Sequence, residues 1–245
     1  MAAAAFGLWR HRNLPPNASR ADSARWLQES CARGLRAIDL HLSIEGTPPE
    51  RGLIVSNHLS YLDILVYSAS ARCVFVSKAE VEQWPIFGRY TRWSGSVFVR
   101  RHDRPDAARA NQTVAQALKN GVPVMLFPEG TTTDGTRILR FHSTMLQPAI
   151  DVGAPVTPCA ISYELEDGDV GHEICWWGDM TLVPHVLNLL SKKVVRAKVV
   201  FGEAMTARQD RKELSHILRE KVVELHENAA LSPTLAQNRG PDGML

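Results

Sequence analysis

A chain of 245 residues can hold one sizeable hydrophobic core, and 44% hydrophobic with 22% charged residues is the make-up of a soluble globular domain. The net charge of +2 is too small to point to nucleic acid, and no run of about 18 to 20 apolar residues exists to cross a membrane. Cys31, Cys73, Cys159 and Cys175 are scattered and form no Cys-x-x-Cys pair, which fits a reducing compartment without structural zinc.

Met1–Ala5 and Phe6-Gly7-Leu8-Trp9 lack an apolar stretch of signal-peptide length, so no leader is predicted. Residues 1–18, with Pro15-Pro16-Asn17, read as a flexible N-terminus. From about Ser19 to Leu42, Leu27, Cys31, Leu35, Ile38 and Leu42 recur at helical spacing and predict an amphipathic helix. Arg20, Arg25, Arg33 and Arg36 sit off that stripe. Either the helix lies on a membrane with these arginines toward lipid phosphates, or it packs on its own domain and exposes a solvated basic face.

After the turn Gly46-Thr47-Pro48-Pro49, the run Leu53–Val55 reads as a buried strand that delivers a polar corner, Ser56-Asn57-His58. A helix follows, with Ser60 as its N-cap, Leu62, Leu65, Val66 and Ala69 on one face, and Asp63 in the first turn. Five residues of continuous helix turn through about 500°, so His58 and Asp63 would diverge if both were helical. With His58 on a loop, Asp63 can accept a hydrogen bond from one imidazole nitrogen and leave the other free to take a proton. The plainer alternative is a histidine that satisfies loop carbonyls and an aspartate that favours a helix N-terminus.

A second strand is predicted at Cys73–Val76 and a short helix at Lys78–Gln83. Trp84-Pro85-Ile86-Phe87-Gly88 breaks the pattern and places aromatic bulk in the core or near a substrate entrance. A third strand, Ser96–Val99, ends in Arg100-Arg101, and a helix runs from about Pro105 to Asn120 with Gly121 at its C-terminus. The fourth strand, Pro123–Phe127, ends in Pro128-Glu129-Gly130-Thr131. Ligands bind outside the carboxyl ends of strands in open α/β sheets, and His58, Arg101 and Glu129 all fall just past such ends. Gly130 to Gly135 is not a nucleotide phosphate loop, because Thr136-Arg137 replaces the Lys-Ser/Thr it needs.

Phe141–Asp151 is predicted helical, Val156–Ser162 a strand with Pro158 near its start, and 164–172 an exposed acidic loop. Trp176-Trp177-Gly178 precedes an apolar stretch, Thr181–Leu190, followed by Lys192, Lys193, Arg196 and Lys198: a second candidate membrane-facing surface, or else a core helix beside solvated charge. Val194–Gly202 reads as a strand, Lys212–Ala229 as a helix covering the sheet, and 232–245 as a disordered tail. The fold class is α/β: a single domain over residues 19–231 with a mixed, mostly parallel sheet flanked by helices, and an N-terminal amphipathic helix. The remaining histidines, such as His142 and His185, have no ligand-like partners at fixed spacing, so no metal is predicted.

Taken together the corners resemble the glycerolipid acyltransferase family, which includes the lysophosphatidic acid acyltransferases. Asn57-His58-Leu59-Ser60-Tyr61-Leu62-Asp63 is similar to its Asn-His-x-Ser-x-x-Asp block, and Gly95–Arg101 to its Gly-x-Ile-Phe-Ile-x-Arg block. Phe127-Pro128-Glu129-Gly130-Thr131 matches its Phe-Pro-Glu-Gly-Thr block, and Val156-Thr157-Pro158 is close to its fourth. The blocks occur in the family's order over residues 53 to about 160.

The resemblance implies transfer of a fatty acyl group from acyl-CoA or acyl carrier protein, as co-substrate and without a further cofactor, to a lysophospholipid hydroxyl. His58 is then the general base and Asp63 its orienting carboxylate. Arg101, helped by Arg100, offers planar donors to the acceptor's phosphate, while Glu129, Gly130 and Thr131 belong to the acceptor-binding block. Backbone N–H groups at the start of the helix after His58 are candidates for stabilising the oxyanion. No Gly-x-Ser-x-Gly elbow is present, and Ser56 and Ser60 read as local caps. Arg100 stands where the family often has an acidic or amide residue, and Phe141-His142-Ser143-Thr144 where it has Phe-Lys-x-Gly. These positions lie near the acceptor, so its headgroup stays open: lysophosphatidic acid, or another lysolipid such as lyso-ornithine lipid. The expected location is cytoplasmic, peripheral on the inner face of the cell membrane, with no nucleic-acid partner. Rival readings are a lipid hydrolase using the same pair with water and a non-catalytic membrane-surface module.

Overall fold

The computed structural model describes residues 18–83, 93–100, 104–208 and 210–231. The first half forms α1 (Arg20–Ala37), β1 (Leu40–Glu45), β2 (Leu53–Ser56), α2 (Leu62–Ser70), β3 (Val74–Lys78), β4 (Val97–Val99), α3 (Arg104–Lys119) and β5 (Val124–Leu126). The second half adds α4 (Gln147–Val152), β6 (Pro155–Leu165), α5 (Val170–Glu173), α6 (Leu182–Leu190), β7 (Val195–Phe201), β8 (Met205–Thr206) and α7 (Arg211–Leu231). The expected flexible start, the Trp84–Gly88 break, Arg101 and the expected disordered tail lie outside the described residues.

Residues that alternate along each strand point to opposite faces, and here both faces are apolar and covered. Ile54 and Met125 enter one core with Leu27, Leu62 and Val66 of α1 and α2. Leu53, Val55, Val124 and Leu126 enter the other with Val114 of α3 and Leu218 of α7. The sheet between these layers runs β1-β7-β6-β2-β5-β3-β4, with β8 also on β6. Pairings among β1 and β7, β2 and β5, β2 and β6, β3 and β4, and β3 and β5 are parallel, while β6 pairs antiparallel with β7 and β8. This is the single α/β domain with a mixed, mostly parallel sheet that the sequence predicts.

Helix α1 opens with a reciprocal cap: Ser19 Oγ accepts the N–H of Asp22, and the Asp22 carboxylate accepts the N–H of Ser19. It ends five residues before the expected Leu42. Asp39 takes a left-handed φ of 52°, and the chain turns into a strand that periodicity alone missed. Leu40, Leu42 and Ile44 alternate with polar residues at a strand's period of two, yet Ile38 and Leu42 also fit the helical stripe. The expected strand from Val156 extends to Leu165. Pro158 lies where β6 exchanges β8 for β7 as its neighbour, so its missing N–H falls between two ladders. No helix among the described residues is long and apolar enough to cross a membrane.

Candidate active site

Strand β2 is buried along its whole length and stops at Ser56, so the next residues emerge at the carboxyl edge of the sheet. Asn57 fixes that exit: its side-chain amide donates to the Ile161 carbonyl at 3.0 Å and accepts the Ile161 N–H at 2.9 Å, tying the loop to β6. His58 follows on non-helical backbone and Asp63 lies in the first turn of α2, as the spacing requires.

The two side chains meet. His58 Nδ1 is 2.7 Å from Asp63 Oδ2. A carboxylate only accepts, so Nδ1 carries the proton and Nε2 keeps a lone pair. Asp63 is fully buried, and an isolated carboxylate there would be costly. Four donors offset that cost: His58 Nδ1, the N–H groups of Leu59 at 2.7 Å and Ser60 at 3.0 Å, and the Tyr163 hydroxyl at 2.7 Å on Oδ1. Burial, reinforced by the Asp63 charge, holds the Tyr163 hydroxyl well above its ordinary pKa, so it remains a donor. The imidazole also stacks on Phe127, with centroids 4.0 Å apart and planes at 9°. Its side chain remains 17% exposed, enough to meet a reactant.

Two local expectations change. Ser60 does not cap α2: its hydroxyl is buried without a hydrogen bond, because Asp63 reaches back to take the loop N–H groups itself. The same reach commits the N–H groups of Leu59 and Ser60, the earliest candidates for an oxyanion site, to Asp63. Neither Ser56 nor Ser60 is bonded to His58, and Ser56 Oγ instead meets the Tyr67 hydroxyl. Burial pushes the thiols of Cys31, Cys159 and Cys175 up to about 12, so at neutral pH they are not thiolate nucleophiles.

Strand β5 delivers the second corner. Glu129 is buried and spends both oxygens on backbone: Oε1 accepts the His58 N–H at 2.8 Å and Oε2 the Leu139 N–H at 2.6 Å. It therefore braces the histidine loop against the segment at Leu139, a role in shaping the pocket. Burial raises its carboxyl to about 7 despite those two donors. Arg219 of α7 holds the same segment by donating to the carbonyls of Ile138 and Leu139. Gly130, at φ 75°, and the exposed Thr131 open onto a cavity of about 920 Å³ that His58 also lines. The third corner is less complete: Arg100 is exposed, with its N–H on the Asp106 carboxylate at 2.7 Å, and Arg101 is outside the described residues.

Lys78, the last residue of β3, is a feature of this cavity without a sequence motif: it lines the space and adds a cation at a strand's carboxyl end, a position that the strand-end rule could have flagged. His142 and Thr144 line it too, in the segment that the resemblance places near the acceptor. Away from these polar groups the wall is apolar, with Val76, Val99, Ala110, Val114 and Leu126 between β3, β4, β5 and α3. An imidazole with a free lone pair, a cation and an apolar recess thus share one space.

Comparison with known proteins agrees with this chemistry. A family model described as Acyltransferase matches residues 41–162. The chain is 35% identical over 215 residues to the lyso-ornithine lipid O-acyltransferase of Rhizobium meliloti, covering 81% of this chain and 74% of that protein. It is 32% identical over 202 residues to a 1-acyl-sn-glycerol-3-phosphate acyltransferase of Neisseria gonorrhoeae, covering 78% and 74%. Its fold is similar to the crystal structure of the 1-acyl-sn-glycerophosphate acyltransferase PlsC from Thermotoga maritima, with a TM-score of 0.62, 24% identity, and 90% and 87% of the two chains covered.

Proposed function

This chain belongs to the acyltransferase family, and from that premise we propose that it transfers a fatty acyl group from acyl-CoA or acyl carrier protein to the hydroxyl of a lysolipid, lysophosphatidic acid foremost. The observation that carries the reading is the His58–Asp63 pair at 2.7 Å, opening onto a cavity with an apolar recess. The acceptor hydroxyl oxygen attacks the thioester carbonyl as His58 Nε2 takes its proton. Asp63 stabilises the imidazolium through Nδ1. When the tetrahedral intermediate collapses, the carbon–sulfur bond breaks and the leaving thiolate receives the proton from Nε2. The apolar wall houses the acyl chain, and Lys78 meets the acceptor's anionic headgroup. Glu129 acts through the His58 backbone as a positioning residue.

A second headgroup reading has its own support: lyso-ornithine lipid, since several relatives at 34 to 36% identity carry that name. The test is a panel of lysolipids with one acyl-CoA, read by mass spectrometry of the product and by thiol release. Thiol release that depends on a lysolipid, and falls about 10²- to 10⁴-fold in His58→Ala, is the expected result. Release that ignores every acceptor would replace acyl transfer by hydrolysis. Preference for lyso-ornithine lipid over lysophosphatidic acid would decide for the second headgroup.

A further inference from the structure

Among the described residues, four large hydrophobic side chains are exposed, and three of them lie on α6: Val183 at 65%, Leu187 at 64% and Leu190 at 55%. Their spacing of four and three places them on one face of the helix, opposite His185 and Leu189, which are buried. The helix, Leu-Val-Pro-His-Val-Leu-Asn-Leu-Leu, holds no Asp, Glu, Lys or Arg. This uncharged helix is buried on one face and presents three aliphatic side chains on the other.

Its position relates it to the catalytic cavity. His185 Nε2 donates to the Cys175 carbonyl at 3.1 Å and Nδ1 accepts from the Tyr61 hydroxyl at 3.0 Å, pinning the inner face of α6 to the loop that carries His58. Trp176 and Trp177, a few residues before α6, line the cavity and pack in the same core as Leu182 and Val186. Around the patch, Glu173 is paired with Lys192, and Lys193 is exposed just beyond Leu190.

We propose that the Val183–Leu187–Leu190 face of α6 docks on the lipid bilayer and brings the cavity wall at Trp176 and Trp177 to the membrane surface. The inference rests on the lysolipid reading above: a substrate and product that partition into a bilayer favour a cavity wall close to an apolar, uncharged face. The three side chains enter the interfacial region, the tryptophans take the depth that amphipathic rings prefer, and Lys193 remains at the headgroup level.

The test is sedimentation of the full chain with phosphatidylcholine–phosphatidylglycerol vesicles. Leu187→Asp and Val183→Asp should each weaken binding by about tenfold or more, as expected for a buried aliphatic side chain replaced by a charge. Leu187→Trp should bind as the parent does, with an emission blue shift when vesicles are added. Because these positions face outward, melting temperatures should hold; Leu187→Ser serves if the aspartate variant melts early. Acylation of a short-chain lysolipid below its micelle concentration should be unchanged in Leu187→Asp. Equal vesicle binding by parent and the double aspartate variant overturns the proposal. So does a parent dimer that the double variant splits without loss of vesicle affinity, which would make the face a contact between copies. Absence of thiol release from the short-chain assay would instead remove the acyl-transfer reading, leaving the vesicle result to stand by itself.

Discussion

At the scale of single residues, Asp63 has the most to hold. It fixes the His58 tautomer and also collects two loop N–H groups and the Tyr163 hydroxyl, so its charge organises the corner before any substrate arrives. Asp63→Asn replaces an acceptor by an amide that presents a donor to at least one of these groups. We expect kcat to fall by about 10²- to 10⁴-fold with KM little changed, together with a lower melting temperature, measured by thiol release and circular dichroism. A variant that melted early but turned over normally would reduce Asp63 to a structural role. Glu129 makes a prediction about pH. Burial raises it from 4.5 to about 7, so between those values the folded chain keeps a proton that the unfolded chain has released. Its stabilising contribution is therefore full below pH 4.5 and is lost as pH rises through 7. Across that window the stability of the parent relative to Glu129→Gln should fall by up to about 3 kcal/mol in urea titrations. A difference independent of pH would contradict the assignment.

At the scale of elements, the corners work because short strands stop where the sheet's edge begins. Gly52 immediately precedes β2 with φ +93°, and a Cβ there would lie 2.3 Å from the Pro155 carbonyl oxygen. That oxygen belongs to the backbone of β6 and cannot move aside as a side chain could. Gly52→Ala should therefore cost about 2–4 kcal/mol in denaturant unfolding. Because β2 carries His58, the surviving folded fraction should also lose activity. Elements explain the missed strand as well. Residues 38–44 satisfy a helical stripe and a strand's alternation equally, and pairing of Leu40–Glu45 with Val195–Val200, far along the chain, decides between them.

At the scale of the whole molecule, the cavity exists only because β3, β4, β5 and α3 leave an apolar recess beside the polar corners. If the acyl chain lies there, a larger side chain in the recess should shorten it. Ala110→Trp is expected to lower kcat/KM for long-chain acyl-CoA by about tenfold or more and to spare short chains. A uniform loss across chain lengths would place the acyl chain elsewhere. The layered α/β architecture, the strand ends and the His58–Asp63 pairing were legible in the sequence, because hydrophobic period and strand-end position are local properties and Asp63 is only five residues from His58. Other partnerships were not legible. Phe127 under the imidazole, Tyr163 on Asp63, Glu129 on the His58 amide and Lys78 in the cavity join segments that only the sheet order brings together. Likewise, composition marked α6 as apolar, but which of its faces met the core was settled by packing around His185 and Leu189. Local sequence determined the elements and the reactive pair, whereas contacts distant in the chain determined what steadies that pair and what surrounds it, since hydrogen bonding and burial depend on neighbours in space that no local pattern encodes.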